Sequence, residues 1–400
     1  MKLSCEKKIN SALPRIAIHK GNFIQADTGK TFIPRGFNYI RLREFPGILE
    51  AQWHDTFNPK RYNPTETDAL FADLKENGFN MVRVFIDHLP EQGIVQTKNS
   101  SRLSEIYMDN VRHFLSRACQ NGVYVILTFP WFPDSPAYHM IDKEKPENKP
   151  YHNASFFHPL YIAVKTRYLS DFVKTVKDHD PDLLNAIFAY ELENETHFCA
   201  DEFPFTLNDR NFQFLGSSYD LTKPEDCQRL ADDAIQNWAD LCVKAFHKHD
   251  ECALVGANVF TFHAVGRSGP VFHFKENRGD RRFPARPLAL AKSSIDFLDI
   301  HLYAAEDVEE SMRKDLESVE YPEVKRECQK LGKPIIMGEF GAFKERFPDL
   351  AEAAKAMQKQ AELSSELGFK GWIYWTYDSD EQTRLWNAKS KSGVILNALV

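Results

Sequence analysis

Several things are missing from the 400-residue sequence, and each absence removes a class of protein. It contains no CxxC pair. The seven cysteines (Cys5, Cys119, Cys199, Cys227, Cys242, Cys252 and Cys328) are odd in number and scattered, which argues against structural zinc and points to reduced thiols in a reducing compartment. No run of 18 apolar residues occurs, so no membrane-spanning helix is expected. The opening MKLSCEKKIN lacks the apolar centre of a signal peptide, and a cytoplasmic location is expected on that ground. Basic residues are not in excess. Fifty Lys and Arg stand against 57 Asp and Glu, a net charge of −7, which argues against a nucleic-acid or anionic-membrane surface. No Gly/Ser-rich linker, internal repeat or low-complexity tract divides the chain, so residues 1–400 read as one domain. What is abundant is apolar and aromatic: 43% hydrophobic residues, with 31 Phe and 14 Tyr. That is enough for a full core, with rings to spare for a groove that takes a flat, weakly polar ligand.

Eight short apolar runs, rich in β-formers, punctuate the chain. They are residues Phe32–Asn38, Asn80–Asp87, Gly122–Pro130, Leu184–Glu191, Ala253–Phe260, Ile295–Tyr303, Lys333–Phe340 and Gly371–Tyr377. Helical patterns lie between them. In NPTETDALFADLKENG, Thr65 is a candidate N-cap, Leu70, Phe71 and Leu74 share a face, and Gly78 closes the end. A helix opening after Thr222 places Leu230, Ile235, Trp238, Leu241 and Phe246 along one stripe. Near-continuously apolar strands that alternate with helices indicate a parallel sheet covered on its outer side, and eight is the number that closes into a (β/α)8 TIM barrel. The segment from about 15 to 33 alternates and carries an Asp-Thr-Gly turn, so it reads as an N-terminal β-hairpin plugging the bottom of the barrel. Two connections are long, Trp131 to about Pro159 and Thr196 to about Thr222. Loops of that kind sit on the catalytic face of such barrels.

Polar residues collect near the ends of the apolar runs: Arg83; Glu191, Glu193, Asn194 and Glu195; His301 and Tyr303; Glu339; Trp375 and Tyr377. A barrel would bring all of them around one mouth. Glu195 and Glu339 end the fourth and seventh strands, and three strand intervals make them face each other. Two facing carboxyl groups suit cleavage of an acetal, one as general acid and the other attacking or activating water. Of the other two glutamates in AYELENE, Glu191 is expected to point into the barrel or pair with a cation. Glu193 is expected to face the other way, toward a neighbouring loop.

These motifs, in this order, resemble those of a clan A glycoside hydrolase of the cellulase type, family 5 or a close relative. The matching residues are Arg35-Gly36-Phe37-Asn38, Arg83 in NMVRV, Asn194-Glu195, His301-x-Tyr303, Gly338-Glu339-Phe340-Gly341 and Trp375. The resemblance runs from about Thr31 to Tyr377. It implies a retaining β-glycoside hydrolase acting on β-linked oligo- or polysaccharides, with β-mannosidic or β-glucosidic bonds favoured. ELENE is similar to the sequence of the mannan-cleaving branch. By the same resemblance Glu195 is the acid/base and Glu339 the nucleophile. Asn194 binds a sugar 2-hydroxyl, Arg83 and Tyr303 keep Glu339 charged, and His301 hydrogen-bonds near Glu195. Trp375 supplies a flat sugar face, and Trp131 and Trp386 are candidate platforms. No cofactor and no metal are implied, and the partner is carbohydrate.

Two positions depart from the family pattern. Thr196 follows the acid/base where proline is usual, and the third strand ends in ILTFP, with Thr128 and Pro130 in place of a histidine-containing end. One substrate hydrogen bond is expected to be missing there. The long aromatic loops suggest a pocket for a chain end. Competing readings are a carbohydrate-binding barrel without catalysis and a transglycosylase. A metal-dependent barrel hydrolase would need His-x-His at the first strand, and GFNYI offers none. The pair His247-x-His249 points to different helix faces. The stretches KNSSRL and DRRFPAR read as solvated basic segments.

Overall fold

The computed structural model describes residues 13–44, 52–87, 93–95, 102–133, 135, 138, 152–270 and 279–400. Its centre is a closed barrel of eight parallel strands: β1 (Arg35–Asn38), β2 (Met81–Phe85), β3 (Tyr124–Thr128), β4 (Ile187–Glu191), β5 (Val255–Phe260), β6 (Phe297–His301), β7 (Ile335–Phe340) and β8 (Trp372–Trp375). Each strand pairs with the next in sequence, and β8 pairs with β1. β2 to β8 are buried along their whole length, which is why they read as unbroken apolar runs. All eight expected strands are present, within a few residues of the expected bounds.

Helices cover the outside. The main ones are α1 (Pro64–Glu76), α2 (Glu105–Asn121), α3 (Pro159–His179), α4 (Pro224–His247), α5 (Pro287–Lys292), α6 (Val308–Ser318), α7 (Tyr321–Leu331), α8 (Leu350–Leu367) and α9 (Ser390–Leu399). The N-cap of α1 is Asn63, not the expected Thr65. Its side chain accepts from the backbone N–H of Thr65 and Glu66, and Pro64 occupies the first turn, where its missing N–H costs nothing. Gly122 closes α2 and Gly368 closes α8, both in the left-handed region. Along the α4 stripe Leu230, Ile235, Trp238 and Phe246 are buried, but Leu241 is 37% exposed and lies outside the core. No helix among the described residues is long and apolar enough to cross a membrane.

The N-terminal hairpin pairs Ile16–His19 with Asn22–Gln25. Its tight turn is Lys20-Gly21, both residues with positive φ, and not the Asp-Thr-Gly further on. Ile16, Phe23 and Phe32 pack with Met81, Tyr124, Ile126, Phe188, Phe297 and Ile373 from the barrel interior. The hairpin therefore closes the end of the barrel where the strands begin and leaves the other end to the site. There, two of the long connections are stitched together. His197–Cys199, after β4, pairs antiparallel with Arg282–Pro284, after β5. Most of the expected loop from Trp131 to Pro159 lies outside the described residues.

Candidate active site

Arg83 is the middle residue of β2 and projects into the barrel, fully buried. Its guanidinium spends its donors on four acceptors. Nε donates to Glu191 Oε2 at 2.6 Å, Nη1 to Glu339 Oε1 at 2.6 Å and to Asn38 Oδ1 at 3.0 Å, and Nη2 to Asn194 Oδ1 at 2.9 Å. One planar cation thus ties β1, β4 and β7 and the segment after β4 into one rigid unit. Glu191 is inside the barrel on this cation, as expected from its place in the run. Glu193 faces away. Its carboxylate accepts the Trp131 backbone N–H at 3.0 Å and lies 3.6 Å from Lys165 Nζ, so it fixes the loop after β3.

Glu339 is buried at the end of β7 and accepts from Arg83 and, at 2.9 Å, from the Tyr303 hydroxyl. His301 Nδ1 stands 3.4 Å from Glu339 Oε2 and 3.3 Å from Glu195 Oε1, between the two carboxylates. A carboxylate oxygen of Glu195 lies within 4.8 Å of one of Glu339. Glu195, Glu339, Asn194, His301, Tyr303 and Trp375 all line one cavity of about 1310 Å³. Arg83 lies directly behind it. Trp131 and Trp386 do not line this cavity. Trp131 stacks on Phe132, and the Trp386 indole N–H donates to the Phe347 carbonyl.

Burial disfavours the charged form of His301, yet Glu339 and Asp299 lift its pKa to about 10, so the ring is an imidazolium in the free site. Burial pushes the Glu195 carboxyl up, but His301 and Arg282 outweigh it and hold it below the usual range. Burial raises the Glu339 carboxyl against the pull of His301 and Arg83, and the facing Glu195 adds to the rise.

A residue that sequence reasoning passed over belongs to the frame of this site. Asn258, in the middle of β5, is fully buried. Its side chain donates to Glu191 Oε2 at 3.0 Å and to the Glu193 carbonyl at 2.7 Å, and its Oδ1 accepts the Glu195 N–H. This clamp holds Glu195 in the left-handed region, φ 50°, an unfavourable conformation for a residue with a side chain. The Thr196 N–H continues the clamp by donating to the Asn258 carbonyl at 3.0 Å, a bond proline could not make. Thr128 is buried and donates to Glu191 Oε2 at 2.8 Å, so it braces the frame and does not reach the cavity.

Arg282, in the stretch read as solvated, lines the cavity instead. Asp280 grips its guanidinium at 2.8 Å, and Phe260 lies under it at 4.9 Å from the ring centroid. Nη1 sits 3.9 Å from Glu195 Oε2. The strand pairing between the two long connections brings it there, and no local pattern announces such a contact. The remaining lining comes from residues such as His54, His263, Asp315, Arg346 and Glu381. Among the described residues, the connection from Thr196 to about Thr222 contributes nothing to the cavity, and most of the other long loop expected to shape it lies outside the described residues. His152, His197 and Cys199 also bring possible ligand atoms within 4.8 Å. The two imidazoles stack 4.2 Å apart at 14°, so as they stand one ion cannot lie in both ring planes.

The sequence matches the cellulase family, glycosyl hydrolase family 5, over residues 27–381. The chain belongs to that family. Its fold is similar to that of an endo-1,4-beta-mannanase from Rhizomucor miehei, with 16% identity and a TM-score of 0.60 over 96% of this chain and 98% of the mannanase. An exo-beta-1,4-mannosidase from an Opitutaceae bacterium aligns at 17% identity and a TM-score of 0.55, over 90% of this chain and 55% of that one. A broad-specificity endoglucanase from an uncultured bacterium aligns at 16% identity and a TM-score of 0.52, over 92% and 94% of the two chains. No curated protein matches the sequence significantly. This family 5 protein is a β-glycoside hydrolase, and its substrate is carbohydrate.

Proposed function

We propose that this family 5 hydrolase cleaves β-mannosidic or β-glucosidic oligo- or polysaccharides by double displacement. Glu339 is the nucleophile and Glu195 the acid/base. The observation that carries the reading is the approach of the two carboxylates to within 4.8 Å across the cavity. Retaining enzymes hold the pair about 5–5.5 Å apart, and inverting ones roughly 6.5–9.5 Å, to leave room for water.

Glu339 attacks the anomeric carbon as Glu195 protonates the departing oxygen. Glu195 then takes a proton from water, which displaces Glu339 and restores the starting configuration. Arg83 and Tyr303 hold Glu339 in line and support its charge. The side-chain carbonyl of Asn194 accepts from Arg83, which leaves its amide N–H groups to donate to a sugar hydroxyl. Trp375 offers its ring to the sugar face. The acid is armed through His301. A sugar filling the cavity excludes water and favours the neutral forms of the His301–Glu195 ion pair, so the Nδ1 proton passes to Glu195 across 3.3 Å. The mannan-active proteins of similar fold support the choice of sugar.

The test is a hydrolysis screen on aryl β-mannoside, glucoside, galactoside and xyloside, with the matching oligosaccharides and polysaccharides. Wild type is expected to turn over a mannoside or glucoside with retention at the anomeric carbon, read by NMR. Glu339→Ala is expected to lose activity while keeping its fold. Glu195→Ala is expected to retain the first step on aryl glycosides whose leaving group needs no proton. Full activity in Glu339→Ala, or an inverted product, sinks the assignment.

A further inference from the structure

Arg282 stands beside the catalytic pair with most of its donors unspent. It opens the short strand Arg282–Pro284 after β5, and the pairing of that strand with His197–Cys199 brings it over the segment that carries Glu195. Asp280 takes one edge of the guanidinium. Nε donates to its Oδ1 at 3.1 Å and to its Oδ2 at 3.2 Å, and Nη2 donates to Oδ2 at 2.8 Å. Asp280 also accepts the Arg282 backbone N–H at 2.9 Å, and the Phe260 ring lies under the plane. The side chain is therefore held in place before any ligand arrives.

A guanidinium carries five N–H groups in a rigid fork, and Asp280 uses only that of Nε and one of Nη2. Both N–H groups of Nη1 and the second of Nη2 have no acceptor among the described residues. Nη1 comes to 3.9 Å from Glu195 Oε2, too far for a hydrogen bond. The end of the fork opens on the cavity, which Arg282 and Phe260 line together. Its two parallel N–H groups match two neighbouring oxygens. Asp280 already balances the charge, and Glu195 is close by, so a neutral ligand fits this edge better than a third carboxylate would.

Glu195 also tells which part of a substrate lies there. His301 faces its Oε1 at 3.3 Å and faces Glu339 as well, whereas Arg282 is on Oε2. Around the barrel, Glu339 and Trp375 come from β7 and β8, while Arg282 follows β5, the neighbour of β4. The sugar that is attacked lies over Glu339, the departing oxygen lies at Glu195, and the leaving group lies beyond it, on the side of Arg282.

We propose that Arg282 is a specificity residue for the leaving group: the free edge of its guanidinium donates to adjacent hydroxyls of a neutral departing sugar, and so favours a sugar over a leaving group without hydroxyls. The proposal rests on the reading of Glu195 as acid/base and Glu339 as nucleophile. Because the fork is fixed in advance by Asp280 and Phe260, little ordering is lost when the sugar binds.

The test compares kcat/KM of wild type and Arg282→Ala on three substrates that share one glycone: a β-linked oligosaccharide, a phenyl glycoside and a dinitrophenyl glycoside. The phenyl group needs a proton to leave but has no hydroxyl, and the dinitrophenyl group needs neither. The ratio kcat/KM reports transition-state stabilisation relative to free enzyme and free substrate. Arg282→Ala is expected to lower it on the oligosaccharide at least about tenfold more than on either aryl glycoside, the size of a lost hydrogen bond to a charged group. A loss shared by the oligosaccharide and the phenyl glycoside would show that Arg282 acts on the proton of Glu195. An equal loss on all three would show a structural role. Either result overturns the proposal. Arg282→Lys keeps the charge without the fork and is expected to show the same selective loss, so it carries the comparison should the alanine variant not fold. Wild-type selectivity in the lysine variant also overturns the proposal. Failure of the catalytic assignment is seen separately, as turnover by Glu339→Ala or an inverted product, and neither involves Arg282.

Discussion

Arg83 has four acceptors and no contact with solvent. Its loss leaves Glu191 and Glu339 buried without their shared cation, and breaking a buried pair in this way costs about 3–5 kcal/mol. Arg83→Ala is expected to lower the unfolding free energy measured in urea by that amount and to abolish turnover. Arg83→Lys is expected to recover part of the stability and little of the activity, since a single ammonium cannot hold four acceptors in one plane. Equal activity in the lysine variant and wild type would show that charge alone suffices. That Arg83 serves Glu339 was implied by the family resemblance that NMVRV helps to carry; an arginine inside an apolar strand says by itself only that a partner must face it. Asp299 sits in the same way inside IDFLDIHLY, two residues before His301 and therefore on the same inward face, and that signal was available in the sequence. Arg282 had no such signal. It belongs to an exposed-looking basic stretch and reaches Glu195 only through the pairing of two distant loops.

At the scale of elements, strands were easier to read than the surfaces of helices. A barrel strand buried on both faces is apolar throughout, and its boundaries fall where polar residues return. A helix stripe has margins, and α4 shows how they mislead. Trp238 is 1% exposed and meets Phe156 edge-on at 5.1 Å between centroids, whereas Leu241, one turn further along the same expected stripe, is 37% exposed. Trp238→Ala is expected to destabilise the protein by about 3–5 kcal/mol, because the cavity it leaves cannot be filled by neighbours held in a packed shell. Leu241→Ala is expected to change stability by less than about 0.5 kcal/mol, as surface substitutions do. Chemical denaturation of the two variants side by side decides whether the stripe or the packing governs. The cap of α1 gives the same lesson on a smaller scale. Thr65 had the right chemistry, but Pro64 before it already belonged to the helix, so the cap moved back to Asn63.

For the whole molecule, closing the barrel concentrates titratable groups that are far apart in sequence. Arg83, Glu191, Glu195, Asp299, His301 and Glu339 come from four strands and one loop, and they titrate together. Their linkage to folding has a definite sign at His301. The ring has a pKa near 6.5 when unfolded and about 10 when folded, so between those values the native state binds the proton and the unfolded state does not. Stability from this group is complete below pH 6.5 and is lost as pH rises through about 10. Glu191 acts in the same direction at lower pH, between its ordinary value and about 7. The melting temperature is therefore expected to fall as pH rises from 6.5 toward 10, and His301→Gln, which cannot bind the proton, is expected to flatten that part of the curve. Lys165 and Lys333, whose ammonium groups are pushed down by burial, pull the other way as pH approaches the lysine range, and they do so equally in both proteins. The difference between the two curves thus isolates the imidazolium. A wild-type curve parallel to that of His301→Gln across this window would mean that the ring is neutral in the folded protein, and that Glu195 takes its proton from somewhere other than His301.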